Sequence, residues 1–130
     1  MNAVHMASVA AAILIVGVAG LQVALALGAP LGAYAWGGRA VGVLPGRLRA
    51  GSALSALVLL ALAALVLLRA GWVTPHPPTP VVWAVRIIVG LLALNTLGNV
   101  VSASPSERRV MAPITLALTA LVGFVAIRGP

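Results

Sequence analysis

The sequence lacks cysteine and lysine, and among its 130 residues it has a single acid, Glu107. Without cysteine, disulfides, thiolate metal sites and cysteine nucleophiles are excluded. Two histidines, His5 and His76, make a poor metal site when no cluster of acids or cysteines accompanies them. General acid–base and covalent catalysis lack a convincing set of groups. We therefore expect no enzymatic activity, no catalytic residues, no bound metal and no cofactor.

Charge is also scarce, because 7% of the residues are charged and 62% are hydrophobic. A soluble domain carries roughly 25% charged residues, so this chain cannot solvate a globular surface. All eight basic residues are Arg, and they lie mostly at the edges of apolar runs. No basic groove interleaved with aromatic residues is present. We expect contact with anionic headgroups of membrane lipids and no binding of nucleic acid.

What the sequence does contain is long apolar runs, and about 20 such residues suffice for a helix to cross a membrane. The four runs cover residues 7–28, 51–68, 81–101 and 110–127. The prediction is an all-α, polytopic membrane protein whose four transmembrane helices form two hairpins within a single domain, residues 1–130.

Arginine also predicts the orientation. The first connection, GGRAVGVLPGRLR, has three Arg residues, and the last, SASPSERR, has two beside Glu107. The middle connection, AGWVTPHPPTP, has none, although Arg69 and Arg128 adjoin the same side. The positive-inside rule then predicts a multi-pass protein of the cell membrane with both termini outside the cytoplasm. Glu107 is expected in a cytoplasmic connection, so no span would contain an acid.

The two hairpins show a limited internal similarity. VAGLQVALALG in the first span aligns with IVGLLALNTLG in the third, and Pro45 and Arg49 correspond to Pro105 and Arg109. Hairpins of the same orientation would form a parallel repeat about an axis along the membrane normal. In a chain so rich in Leu, Ala and Gly, both duplication and coincidence stay open.

Small residues recur at a spacing of four and indicate where helices approach closely in lipid. We interpret them as contacts inside a four-helix bundle rather than as a dimer face. They are Gly20, Ala24, Gly28 and Gly32 in and after the first helix, and Thr115, Thr119 and Gly123 in the fourth.

Four polar residues within the spans are candidates for binding a ligand or a lipid headgroup: Arg86, Gln22, Asn95 and Asn99. Arg86 either extends to the membrane interface or binds an anionic group. The amides either form hydrogen bonds between helices or line a polar cavity. Arg86 and Asn95 are half a turn out of phase, so they do not both line one narrow pore.

The run LGAPLGAYAWGG followed by LPGRLR, with NTLGNVVS and SPSERR further along, resembles small uncharacterised four-helix membrane proteins of high-GC bacteria. This resemblance covers most of the chain and implies a bacterial inner-membrane protein, with no activity implied. Small multidrug exporters share only the size and helix count, because they need a carboxylate inside the membrane. Fluoride channels need a phenylalanine-rich filter, whereas Phe124 is the only phenylalanine here.

These observations favour a non-enzymatic accessory subunit or lipid-interacting scaffold, either as a homo-oligomer or within a larger membrane complex. The alternative is an oligomeric pore or carrier for a neutral or anionic small solute.

Overall fold

A computed structural model describes all of residues 1–130 as a four-helix bundle without strands. The helices are α1 (Ala3–Ala26), α2 (Gly46–Arg69), α3 (Thr79–Val100) and α4 (Pro105–Arg128), and all four are long and apolar enough to cross a membrane. Two 3₁₀ turns, Gly32–Tyr34 and Trp36–Gly38, lie between α1 and α2. The predicted fold class is confirmed, and the bundle is compatible with two hairpins.

The helices differ from the predicted spans chiefly at their beginnings. α2 begins at Gly46 rather than at residue 51, and α4 at Pro105 rather than at residue 110. Their first turns contain arginine, so these residues are not apolar although they are helical. α1 ends at Ala26, before Pro30, with Gly28 in the left-handed conformation (φ 97°) common just after a helix.

The apolar core lies mainly toward one end of the bundle. We call this the proline-rich end, because it holds the α2–α3 connection (residues 70–78) and both termini. Ile15, Val66, Val85, Leu118 and Val122 are fully or almost fully buried there, one or two from each helix. At the opposite, arginine-rich end (residues 27–45 and 101–104), α2 and α3 do not close over the bundle. Of the helices that are neighbours around the bundle, α2 and α3 make the least contact.

α2 has an arginine at each end that caps a neighbouring helix. Arg49 Nε donates to the Ala26 carbonyl at the end of α1 over 3.0 Å. Arg69, 3% exposed, donates to the Ala126 carbonyl of α4 over 2.9 Å and also to the Pro130 main-chain oxygen. The last carbonyls of a helix lack intrahelical donors, and positive charge is favourable beside them. These two arginines thus stabilise the bundle itself, whereas the sequence suggested contact with headgroups.

The second hairpin has a related arginine contact. Arg108 donates to the Ser102 carbonyl just beyond α3. Counted from the helix N-caps Pro45 and Ser104, Arg49 and Arg108 occupy the same position. The sequence alignment pairs Arg49 with Arg109 and is therefore one residue out of step with this contact. The internal repeat itself stays a prediction.

Two tryptophan–serine hydrogen bonds join α1 and α2 at opposite ends. Trp36 Nε1 donates to Ser52 Oγ and Trp72 Nε1 donates to Ser8 Oγ, each over 3.0 Å. Both serines are fully buried. Each indole follows one helix and binds a serine in the first turns of the other, so the hairpin is fastened at both ends.

The glycines expected to pack helices together have different surroundings. Gly20 is exposed, and an added Cβ would meet nothing within 4 Å, so the structure places no helix of this chain against it. Ala24 is half-buried. Gly32 lies in the 3₁₀ segment, where an added Cβ would overlap the Ala40 carbonyl oxygen at 2.0 Å. At Gly123 an added Cβ would make ordinary contact.

The two threonines lie between α3 and α4. Asn99 Nδ2 donates to Thr115 Oγ1 over 3.1 Å, and the hydroxyls of Thr96 and Thr119 are 3.2 Å apart. Polar pairs of this kind join helices in lipid, where no water competes.

Candidate functional site

A cavity of about 730 Å³ lies at the arginine-rich end, where α2 and α3 are apart. Ligand pockets commonly measure about 300–1,000 Å³. All four helices line the cavity, and the 3₁₀ segment between α1 and α2 forms its floor. The polar residues that line it are Gln22, Tyr34, Trp36, Arg39, Ser55, Asn95, Asn99 and Glu107.

The mouth of this cavity lies between α2 and α3. Leu54 and Val58, which line the α2 side, are 64% and 56% exposed, and on α3 both Gly98 and the polar Asn95 are exposed. Outward-facing apolar residues of a membrane bundle contact lipid. The cavity therefore combines a lipid-facing entrance with a polar interior, as an amphipathic ligand requires.

The floor is a strained loop held by α2. Trp36 has φ 58°, and Gly37 and Gly38 also have positive φ. A non-glycine residue in this region costs about 1–3 kcal/mol and persists only where its surroundings hold it. The Trp36 indole is held by Ser52 and lies so close to Gly51 that an added Cβ there would be 2.7 Å from the ring.

The second hairpin also holds the floor. Ser104 Oγ donates to the Ala33 carbonyl, and an added Cβ on Gly38 would approach the Ser104 Cβ to 2.8 Å. The loop is therefore pinned by both hairpins, and its aromatic side chains are kept at the cavity wall.

Glu107 is buried in that wall, 6% exposed, and it lies in the first turn of α4 rather than in the connection that the sequence suggested. Its Oε2 accepts a hydrogen bond from the Ser102 hydroxyl, whose oxygen accepts from the Ser104 N–H over 3.1 Å. A signal for this position was available, since Ser104 and Glu107 form the S-x-x-E pattern of a helix N-terminus. Ser104 Oγ indeed accepts from the Glu107 N–H. That pattern places Glu107 in the first turn of α4.

The structure brings together three of the four predicted site residues. Gln22, Asn95 and Asn99 line the cavity, but Arg86 does not. The Arg86 side chain is exposed, and its guanidinium carbon lies 5.1 Å from the centre of the Trp83 ring, a cation–π contact. A single pore lined by Arg86 and the amides is therefore absent from the chain.

The interior of the cavity is rich in hydrogen-bond acceptors. Gln22 Oε1 has no hydrogen-bond partner but is fully buried, so it does not face the open cavity, whereas the exposed Asn95 amide is free of hydrogen bonds within the chain. Asn99 uses its Nδ2 on Thr115, which leaves its carbonyl oxygen as an acceptor. The Glu107 carboxylate can accept more bonds than the one from Ser102. Sequence reasoning missed Tyr34, Trp36, Arg39 and Glu107, because the first three are far from α3 in sequence and the last was placed outside the helices.

No known protein family matches the sequence, and no curated protein or solved structure is significantly similar to it. The cavity is therefore the feature of the molecule that bears on its function.

Proposed function

We propose that this protein is a non-enzymatic, lipid-interacting scaffold or accessory subunit of the membrane, which holds one amphipathic lipid in the cavity. The observation that carries the proposal is the position of the mouth. A cavity that opens between α2 and α3 can admit a lipid from the side, because exposed Leu54 and Val58 flank the opening on α2 and exposed Asn95 offers a polar group on α3.

The two kinds of lining fit the two parts of a lipid. Leu54, Val58 and Leu59 offer apolar contact at the α2 side, where an acyl chain would lie. Amides, two hydroxyls, an indole and one carboxylate elsewhere in the lining are available to a headgroup. Tyrosine and tryptophan favour the headgroup level of a membrane, which matches the Tyr34–Trp36 floor.

The chain offers a matched pair of variants on α3 to test lipid binding. Gly98 lines the cavity and Gly90 does not, while an added Cβ at either meets nothing within 4 Å. We expect Gly98→Trp to fill the cavity and to lower the amount of lipid that stays bound after purification in mild detergent. Gly90→Trp should retain the wild-type amount. Native mass spectrometry measures both, and equal retention by the two variants contradicts lipid binding in the cavity.

The alternative function is an oligomeric pore or carrier for a small solute. The sequence suggested that no acid lies inside a span, but Glu107 is buried in the structure. This burial favours a carrier, because ion-driven carriers use a carboxylate inside the protein. Flux of small neutral and anionic solutes into proteoliposomes tests this alternative. Flux that Gly98→Trp blocks and Gly90→Trp preserves would support a carrier, and absence of flux in the wild type would remove it.

The predicted orientation belongs to this proposal, with both termini outside the cytoplasm. Exposed Arg39, Arg47 and Arg109 at one end support it. Because the chain has no cysteine, single-cysteine variants report accessibility without background. His76→Cys should react with an impermeant maleimide on intact cells and Ala103→Cys should not, and the reverse pattern would invert the topology.

A further inference from the structure

We propose that the cavity selects an ethanolamine phospholipid, whose headgroup joins a primary ammonium to a phosphate. This inference rests on the lipid binding proposed above and names the headgroup. Glu107 and two amide oxygens of the same cavity wall accept from the ammonium, and Arg39 binds the phosphate.

Glu107 creates a need for a positive charge in the cavity. A buried carboxylate is costly unless a positive charge or several hydrogen bonds compensate it. In this chain its side chain accepts from a neutral hydroxyl, that of Ser102, and the first turn of α4 contributes the favourable field of a helix N-terminus. A cation in the cavity would complete the compensation, so a positively charged headgroup fits this wall better than a neutral or purely anionic one.

The number of hydrogen-bond acceptors in the cavity wall matches a primary ammonium. A primary ammonium has three N–H donors. The cavity wall has three acceptors that the fold leaves available, namely the Glu107 carboxylate and the carbonyl oxygens of Asn99 and Asn95. A trimethylammonium group carries the same charge but has no N–H, so a choline headgroup would leave all three acceptors unused.

Arg39 supplies the positive charge that binds the phosphate. It lies at the end of the second 3₁₀ turn, is exposed and lines the same cavity. Unlike those of Arg49 and Arg108 at this end of the bundle, its side chain donates no hydrogen bond to a main-chain carbonyl. A guanidinium group binds phosphate through paired hydrogen bonds. The cavity thus presents both charges that a zwitterionic headgroup requires.

The test compares three phospholipids with identical acyl chains, carrying ethanolamine, choline or glycerol headgroups. Each is titrated into the delipidated full-length protein in detergent, and native mass spectrometry counts bound lipid. We expect the ethanolamine lipid to bind roughly tenfold more tightly than either of the others, because they lose N–H donors or the positive charge. Equal affinities, or a preference for glycerol, would overturn the inference.

Single substitutions test which cavity residue recognises which part of the headgroup. Glu107→Gln keeps an acceptor for Ser102 and should abolish the preference for ethanolamine over glycerol. Asn95→Leu should reduce the preference for ethanolamine over choline. Arg39→Gln should weaken all three lipids, whereas the control Arg47→Gln, an exposed arginine outside the cavity lining, should change none. If Glu107→Gln does not fold, the wild-type series and Asn95→Leu decide the question.

The two proposals fail differently. Lipid that binds without headgroup preference, and that Gly98→Trp still displaces, overturns the headgroup assignment and leaves the lipid-binding scaffold in place. Absence of any bound lipid in the wild type refutes both.

Discussion

Two glycine-to-alanine substitutions test how the structure distributes close packing. Gly20 and Gly32 belong to the same series of small residues spaced four apart in the sequence. From the sequence alone, both were expected to lie at helix contacts. In the structure an added Cβ meets nothing at Gly20, whereas at Gly32 it would be 2.0 Å from the Ala40 carbonyl oxygen and 2.7 Å from that of Gly42. The same methyl group should therefore have opposite effects at the two positions.

The magnitudes follow from these surroundings. Gly20 is within α1, where Ala is favoured over Gly by up to about 1 kcal/mol, so Gly20→Ala should be neutral or stabilising. At Gly32 the obstructing atoms are backbone, and they do not move aside as a side chain would. The Gly32 N–H to Gly42 carbonyl hydrogen bond, 2.8 Å long, would break as the loop opens. Overpacking and the lost bond together cost about 2–4 kcal/mol.

The assay is reversible unfolding in mixed detergent micelles, followed by circular dichroism, with the free energy of unfolding compared among wild type, Gly20→Ala and Gly32→Ala. A loss of more than about 1 kcal/mol for Gly20→Ala would mean that this face of α1 is packed, against a second copy or another subunit. Sedimentation in detergent separates these cases. A neutral Gly32→Ala would refute the close approach of the loop to itself.

Three further predictions concern single contacts. In a double-mutant cycle, Asn99→Leu and Thr115→Val should couple by about 0.6–1.7 kcal/mol in detergent unfolding; additive effects would contradict the hydrogen bond between them. Trp72→Phe should lower the free energy of unfolding by about 1 kcal/mol, and by clearly less in a Ser8→Ala background; the same loss in both would show that the indole N–H is not bonded to that serine. Arg69→Met removes the donor from the carbonyls at the end of α4, and hydrogen exchange there should accelerate by roughly tenfold while α1 is unchanged; unaltered exchange would refute the cap.

Much of the architecture depends on local properties of the sequence. Whether about 20 consecutive residues can cross a membrane is a question of their own hydrophobicity, so four spans and an all-helical fold follow without knowledge of contacts. The end of α1 before Pro30 is equally local, because proline disrupts the preceding turn. Errors arose at polar helix starts, where α4 extends back to Pro105 across residues that hydropathy assigns to a loop.

The sequence alone identified only part of the candidate site. Gln22, Asn95 and Asn99 stand out because polar residues are rare in apolar spans, and the structure places all three in the cavity. Arg86 stands out for the same reason and lies elsewhere, since its position around α3 directs it outward. Rarity in the sequence identifies unusual residues, but it does not show which of them meet.

By itself, then, the sequence determined the four helices, their approximate ends and the concentration of arginine at one side, because each is a sum over neighbouring residues. Tertiary structure alone decided that Glu107 is buried, that Arg49 and Arg69 cap neighbouring helices, and that Gly20 faces outward while Gly32 does not. The reason is that burial and hydrogen bonding depend on which helices come together. The cavity itself exists because α2 and α3 meet at one end of the bundle and remain apart at the other.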